Sequence, residues 1–319
     1  MTARRIQKVG GSTFIVSLPK NWVVKNGLKE KDLINIKIKD KNLILAPDST
    51  HLFFPDSIEL KLEEHKDSLL QMLYSLYYLG VSEIKIISKE FFSMETLNQL
   101  GDFVDSLNGA ELIYEDTRRV IISFFVSVRK LNRYQLFMRF LIILKRMITL
   151  FLEDPLNSEK IKSLEQDSDK MFHLFNRWYF EVSSGKIVED SVTMELLPFY
   201  LRIVFRLEKL IDMLSKLLTD GSFTHKEIIE KVKPVFDFLL ERVDKYLDFL
   251  SDQAFDKRKA SVELEKYETE REFVSQLPNR FQSFVLGEIL GFCEANEKDV
   301  VSILKLTDFL KNNNKNNED

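Results

Sequence analysis

The 319 residues predict a multidomain chain with a small all-β N-terminal module, a small α+β middle domain and a C-terminal all-α region. Three observations support this fold class. Short β-branched and aromatic runs broken by turn residues fill residues 1–47, and strand and helix patterns alternate over 55–128. From Arg129 onward, apolar residues recur at the 3.6-residue period of helices. We expect a separate domain for each region.

The composition, 45% hydrophobic and 30% charged residues, is that of a soluble globular protein. Cys293 is the single cysteine, which excludes an intrachain disulfide, and the first residues lack an apolar stretch of signal-peptide length. The most hydrophobic window, "FLIILKRMITLFL" (140–152), is too short for a membrane span and is interrupted by Lys145 and Arg146. We therefore expect a cytoplasmic protein without a transmembrane helix.

Residues 1–47 predict the order strand, strand, short helix, strand, strand. Gly10 and Gly11 supply the first turn, and Pro19 suits the start of a helix because its missing N–H needs no partner there. So short a segment buries too little apolar surface to be stable by itself, so we expect it to pair with a second copy. The predicted elements are strands at Arg4–Val9 and Thr13–Leu18, a helix over "KNWVVKN", and strands over "LINIKIK" and "LILA".

The charge distribution is uneven. Residues 1–47 hold ten Lys/Arg and three Asp/Glu, a net charge of +7, whereas the remainder has a net charge of −11. This asymmetry predicts a basic module that meets a polyanion, and the alternative is a lysine-rich domain that is merely soluble. The side chains that we expect to contact the phosphates of duplex DNA are Arg4, Arg5, Lys8, Ser12, Thr13, Lys20 and Lys25.

The middle region, 55–128, follows the order βαβαββ, with helices predicted at 63–79 and Ser93–Leu107. This order fits a small α+β domain with its helices on one face of a mixed sheet. The region contains no glycine-rich phosphate loop and no cluster of Cys or His. We therefore predict no catalytic site there.

Residues 129–311 predict two three-helix units, because six long amphipathic segments are joined by short polar breaks. A solvated, disordered tail is predicted at 312–319, where Asn and Lys dominate. The six predicted helices are 131–153, 157–183, 190–219, 225–252, 255–277 and 279–311.

Two acid pairs on neighbouring predicted helices could form a metal site. Glu165 and Asp169 are spaced i,i+4 on the second helix, and Glu208 and Asp212 have the same spacing on the third. Both pairs lie at similar distances from the connecting turn, so antiparallel packing would bring four carboxylates together for a divalent or trivalent cation. The alternative is a wet helix face whose acids pair with nearby cations. No base or nucleophile accompanies the acids, so we predict no enzyme. The nearby cations are Lys162, Arg206 and Lys209.

The stretch "RRIQKVGGSTFIVSLPKNWVVKNGLKEKDLINIKIKDKNLILAP" resembles the SpoVT/AbrB domain, a swapped-hairpin DNA-binding fold of transition-state regulators, antitoxins and archaeal regulators. The ordered combination of glycine turn, "FIVSLPKNW", "NGLKEKD" and closing hairpin carries the likeness. The resemblance implies an obligate homodimer in which strands from both chains form one barrel that binds duplex DNA.

The segments "SLEQDSDKMFHLF" and "FRLEKLIDML" resemble the ExxxD motifs of PhoU domains. PhoU proteins are tandem three-helix bundles that regulate phosphate uptake, and some bind metal clusters at these acids. The second half departs from the pattern, since Glu288 is followed four residues later by Phe292, so a metal site is expected only in the first half.

The whole chain is similar to archaeal phosphate-uptake regulators that join both domains. The resemblance implies a dimeric DNA-binding transcriptional regulator of phosphate homeostasis, with a phosphate transporter or signalling protein as a further partner. The alternative is a PhoU-like adaptor that modulates a phosphate transporter through protein contacts. In that case the AbrB-like domain would serve only for dimerisation.

Overall fold

The chain forms two compact units, Met1–Phe54 and Pro55–Asp319. The sequence predicts a linker from Pro47 to Pro55, and its residues 48–54 are outside the described residues, as is the first part of the fifth predicted helix. The computed structural model describes residues 4–39, 42–47, 55–128, 131, 133–154, 157–184, 186–187, 191–219, 226–252, 267–277 and 279–315.

The N-terminal unit contains two antiparallel hairpins and a short helix, in the predicted order. Gly10 forms the first turn with a φ of 65°, a left-handed conformation that glycine adopts without a steric penalty. In the second hairpin, Ile36 pairs with Leu45 and Ile38 pairs with Leu43. The two-chain barrel stays a prediction. The elements are β1 (Gln7–Val9), β2 (Thr13–Ile15), α1 (Lys20–Lys25), β3 (Asn35–Lys39) and β4 (Asn42–Ala46).

The second unit begins with the predicted βαβαββ order, which forms a four-stranded sheet. Its strand order is β5-β6-β8-β7, with β5 and β6 parallel and the other pairs antiparallel. The single helix predicted at 63–79 is wrong, because His65 and Ser68 adopt φ values of −134° and −135° that interrupt it. The elements are β5 (Ser57–Lys61), α2 (Leu62–His65), a 3₁₀ turn (Lys66–Ser68), α3 (Leu69–Tyr78), β6 (Glu83–Ile87), α4 (Met94–Asp105), β7 (Ala110–Glu115) and β8 (Arg119–Phe124).

One face of this sheet packs against α3 and α4. Ile84 and Ile122 are paired across β6 and β8 and are fully buried, as are Leu73 of α3 and Leu100 of α4. The alternation of apolar and polar residues along each strand sends these side chains to the covered face. The sheet and its helices, termed here the α/β layer (residues 55–128), therefore have a hydrophobic core of their own.

Long helices make up the rest of the unit and share a second core that contains Trp178, Phe140 and Phe236. The last helix continues to Lys315, so the tail predicted from residue 312 is wrong for its first four residues; residues 316–319 are outside the described part. Of the helices that the structure describes, none combines the length and apolarity that a membrane crossing needs. The helices are α5 (Arg133–Glu153), α6 (Ser158–Ser183), α7 (Ser191–Thr219), α8 (Lys226–Asp252), α9 (267–275) and α10 (Arg280–Lys315).

The α/β layer is joined to α6 through the C-terminal end of α3. Arg177 is buried and donates hydrogen bonds from Nη1 to the carbonyl oxygens of Tyr77 and Val81, at 3.3 and 3.1 Å. Its Nε donates to Glu181 Oε1 at 3.1 Å, so the buried guanidinium has a carboxylate partner. Lys186 Nζ donates to two further carbonyls, those of residues 79 and 80. Cations from the helical region therefore donate to carbonyl groups at and just after the end of α3, and the carbonyl of Tyr77 also accepts a hydrogen bond from the backbone N–H of Gly80.

Candidate functional site

The basic N-terminal module exposes every side chain that the sequence nominates for DNA contact. Arg4, Arg5 and Lys8 lie on or just before β1, and all three are exposed. Lys8 pairs in register with Phe14 of β2, and its Nζ lies 6.0 Å from the centroid of that ring. The remaining nominated side chains, which are exposed as well, are Ser12, Thr13, Lys20 and Lys25.

The same module also exposes its apolar side chains. None of the side chains described between residues 4 and 47 is buried. Phe14 is 66% exposed, Ile36 64% and Ile38 74%. A folded hairpin gains little stability when its apolar face stays in water, so we expect another protein surface to bury these side chains.

The sequence predicts that four carboxylates meet between α6 and α7, and the structure brings three of them together. One oxygen from each of Asp169, Glu208 and Asp212 lies within 4.8 Å of the others, and we call these three residues the acidic cluster. Lys209 Nζ lies 3.3 Å from Glu208 Oε1 and 3.1 Å from Asp212 Oδ2. Glu208 Oε2 is buried and accepts no hydrogen bond within the described part of the chain, although the same ammonium group is 3.3 Å away.

Glu165, the fourth acid of the predicted set, is not one of these three. Its Oε2 accepts a hydrogen bond of 2.5 Å from Ser215 Oγ, and Ser215 is buried on α7. Glu165 lies one turn before Asp169, and at that height α7 presents a hydroxyl rather than a carboxylate. Of the three cations considered as partners, Lys209 pairs with the acidic cluster, whereas Arg206 pairs with Asp299 of α10.

Burial and mutual repulsion disfavour ionisation of the acidic cluster. Burial, followed by the charge of Asp212, raises the pKa of Glu208 to about 7. Burial, followed by the charges of Asp212 and Glu165, raises the pKa of Asp169 to about 6. The positive charge of Lys209 opposes both shifts only in part. A bound cation would remove the repulsion and favour the ionised carboxylates.

The α/β layer contributes neighbours of the acidic cluster that sequence reasoning missed. His173 lies one turn after Asp169, and its Nδ1 is 2.6 Å from the hydroxyl of Tyr78 on α3. The ring of Tyr74 stacks on the imidazole with centroids 4.6 Å apart. Burial lowers the pKa of His173 to about 4, so the imidazole is neutral at pH 7 and can accept the hydrogen bond of the phenol. The sequence contains one indication that His173 lies near the acidic cluster, which is its i,i+4 spacing from Asp169 on the same helix.

The second half of the helical region contains a different buried arrangement. Glu297 of α10 is 3% exposed, and its Oε1 lies 3.5 Å from Nη1 of the buried Arg242 on α8. The guanidinium also lies over the rings of Phe238 and Tyr267, 4.7 and 5.2 Å from their centroids. A protein cation therefore faces the buried carboxylate here, whereas three carboxylates face one partly exposed lysine in the first half.

Comparison with known proteins identifies one part of the chain. Residues 7–52 match the family described as "Antidote-toxin recognition MazE, bacterial antitoxin". No curated protein and no solved structure matches the chain. The match covers the strands and the helix of the N-terminal unit, which is also the basic segment.

Proposed function

We propose that this protein is a dimeric DNA-binding transcriptional regulator. The match of residues 7–52 to a MazE antitoxin family carries the proposal, because domains of the MazE/AbrB kind commonly dimerise and bind DNA. The net charge of +7 over residues 1–47 and the exposed basic side chains support it. Duplex DNA attracts such a surface by release of the counterions on its phosphates.

The exposed apolar face of the hairpins supports the dimer. Phe14, Ile36 and Ile38 would be covered if the hairpins of a second chain packed on them. Pairing would also bring two copies of Arg4, Arg5 and Lys8 into one assembly. The number of phosphates that the assembly can contact would then double, and affinity depends steeply on that number.

DNA binding is tested with Ala at Arg4, Arg5 and Lys8 together. We expect weaker binding to duplex DNA, and a plot of log K against log salt concentration that is flatter by roughly one unit for each lost phosphate contact. The measurement is fluorescence anisotropy of a labelled duplex over a range of salt concentrations. The triple variant K162A/K231A/K233A is the control, because it removes the same charge from exposed positions of the helical region.

The control separates a local contact from a general effect of net charge. If both triple variants bind DNA with the parent's affinity and salt slope, the basic module is not the contact surface. If the parent itself shows no salt-dependent binding to duplex DNA, the chain would fit the alternative function, an adaptor that modulates a phosphate transporter and uses its N-terminal module only for dimerisation.

In this proposal the helical region senses phosphate status and controls the activity of the regulator. The resemblance of "SLEQDSDKMFHLF" and "FRLEKLIDML" to PhoU motifs supports control of phosphate uptake, through a transporter or signalling partner. Transcript profiles of a deletion strain, grown under phosphate limitation and phosphate excess, test this assignment. Unchanged expression of phosphate-uptake genes in both conditions would contradict it.

We also propose that the acidic cluster binds a divalent or trivalent metal ion. Three carboxylate oxygens within 4.8 Å of one another match the oxygen donors that hard cations prefer. Buried Glu208, with one oxygen that accepts no hydrogen bond in the described part of the chain, supports the proposal. A cation there would offset the cost of burying several ionised carboxylates.

The double variant E208Q/D212N tests this site. We expect it to lose the Mn²⁺ that the chelator-treated parent takes up and retains on gel filtration, as measured by atomic emission. The matched control is E268Q/E272Q, an exposed i,i+4 acid pair on α9. Equal metal content and equal melting-temperature shifts on Mn²⁺ addition in parent and E208Q/D212N would show an ordinary charged helix face.

The same site predicts a pH dependence. The pKa values of Asp169, about 6, and Glu208, about 7, lie above the ordinary 3.8 and 4.5. Through these two groups the metal-free folded state binds more protons than the unfolded chain between about pH 4 and pH 7, so their contribution to stability falls as pH rises through that window. His173, whose pKa is lowered to about 4, contributes in the opposite direction in the parent and in E208Q/D212N. Relative to E208Q/D212N, the melting temperature of the parent should therefore fall as pH rises, and Mn²⁺ should reduce this difference. A parent profile that is unaffected by Mn²⁺ would argue against the cation.

A further inference from the structure

We propose that the groove between α5 and α6 binds a small organic anion, one with a carboxylate or phosphate head and an apolar body. The groove has a volume of about 530 Å³ and lies along the C-terminal half of α5 and the first two turns of α6. That volume falls within the range of small-molecule pockets, roughly 300–1,000 Å³. The binding does not depend on DNA contact or on a cation at the acidic cluster.

The floor of the groove is apolar. Ile142 and Leu150 of α5 and Leu164 of α6 line it and are only half-buried. Ile142 and Leu150 are eight residues apart on one face of α5, and this face is distinct from the one that buries Met147 and Phe151 in the core. The three half-buried side chains present apolar surface that an aromatic or aliphatic ligand body would cover, with the gain in free energy that such burial brings.

Three cations line the same groove against one acid. Lys145 is already paired, because its Nζ lies 2.5 Å from Asp244 Oδ1 on α8. The side chains of Arg146 and Lys160 have no ion pair or hydrogen-bond partner within the part of the chain that the structure describes. Glu153 is the acid, and it forms no ion pair with either of these two within the described residues. Because the Lys145–Asp244 pair has no net charge, the groove keeps two positive charges, on Arg146 and Lys160, against the one negative charge of Glu153.

Two hydroxyl groups complete the polar side of the groove. Thr149 and Ser163 line it, and their hydroxyl groups form no hydrogen bond within the described residues, so these hydroxyls can donate to a ligand. The planar guanidinium of Arg146 can hold a carboxylate or phosphate through two parallel hydrogen bonds, and the ammonium of Lys160 adds a charge from the facing helix. A bare inorganic anion would leave the apolar floor in water, and an uncharged ligand would leave the two cations unpaired. The lining therefore fits a molecule that has both parts.

Isothermal titration of the full chain with 4-phenylbutyrate and with phenyl phosphate tests the proposal. We expect saturable one-site binding of at least one of them, and no detectable binding of acetate, inorganic phosphate or the uncharged 4-phenylbutanol. The variants R146A and K160A should each weaken binding about tenfold or more, since each removes a charge-assisted hydrogen bond. K162A is the matched control, because Lys162 is exposed on α6 outside the groove, and it should bind as the parent does.

Other results would overturn the proposal. Failure of both aromatic anions to saturate, or equal affinity in R146A, K160A and K162A, would show that the groove does not bind such ligands. Equal affinity for inorganic phosphate would show a site for the anion head alone. An acidic lipid has the same head and body chemistry, so phosphatidylglycerol vesicles form a separate arm. Cosedimentation that R146A abolishes, without binding of the free probes, would assign the groove to a membrane surface.

Discussion

Deletion of residues 1–47 is expected to convert a dimer into a monomer. The hairpins expose Phe14, Ile36 and Ile38, and none of the described side chains in this unit is buried. A segment of this size without a core gains its stability from association. The remaining chain keeps both hydrophobic cores of the second unit, so it should stay folded. Analytical ultracentrifugation of the full chain and of residues 48–319 measures the change.

A single substitution in the full chain separates loss of the interface from loss of the unit. I36K places a charge on the apolar face of β3, whereas N35K places the same charge on the neighbouring residue, whose side chain points to the opposite face. We expect I36K to sediment as a monomer and N35K as a dimer. A 48–319 protein that remains dimeric would assign association to the helical region instead.

Replacement of Arg177 by Ala is expected to give the largest loss of stability. The residue is 5% exposed, and removal of its side chain leaves Glu181 as a buried carboxylate and the carbonyls of Tyr77 and Val81 without these donors. Breaking a buried ion pair in this way costs about 3–5 kcal/mol of unfolding free energy. Chemical denaturation followed by circular dichroism measures it.

An exposed ion pair provides the control for Arg177. Arg139 lies 3.1 Å from Asp167 with side-chain exposures of 39% and 49%, so R139A should cost no more than about 1 kcal/mol. The double variant R177M/E181L should recover part of the loss, because it replaces the buried pair by apolar side chains. Equal destabilisation by R177A and R139A would show that the join between α3 and α6 contributes little.

The elements of the fold could be predicted from sequence because their signals are local. The strict alternation in "LINIKIK" is a strand, and the apolar stripe along the third predicted helix is α7. The approach of Asp169 to Glu208 was also predictable, since two antiparallel helices joined by a short turn fix which residues stand at the same height. The failure at 63–79 has a local cause as well, because backbone dihedral angles at His65 and Ser68 leave no trace in the periodicity of apolar residues.

Contacts between distant parts of the chain could not be predicted in this way. Tyr78 and His173 are 95 residues apart, and they meet because α3 packs on α6. The spacing of apolar residues shows which face of a helix is buried, but it does not show which other helix covers that face. This holds above all for α3 and α6, which are far apart in the sequence. The rotation of α6 about its own axis, which turns Glu165 toward Ser215, is set by the packing of whole helices.

The satisfied carbonyls at the end of α3 decide where this protein can be divided for expression or for domain exchange. A cut at 128/129 would separate Arg177 and Lys186 from the carbonyls of residues 77 and 79–81, and it would uncover Tyr74 and Tyr78. Gly80, with a φ of +79°, has no space for a β-carbon because the side chain of Glu181 lies 2.8 Å from that position. A chimera that takes its helices from another protein would therefore need cations at the positions of Arg177 and Lys186, and a side chain at the position of Glu181 that packs against Gly80. A cut at 54/55 severs none of these contacts, so fusion proteins that exchange the N-terminal unit should join there.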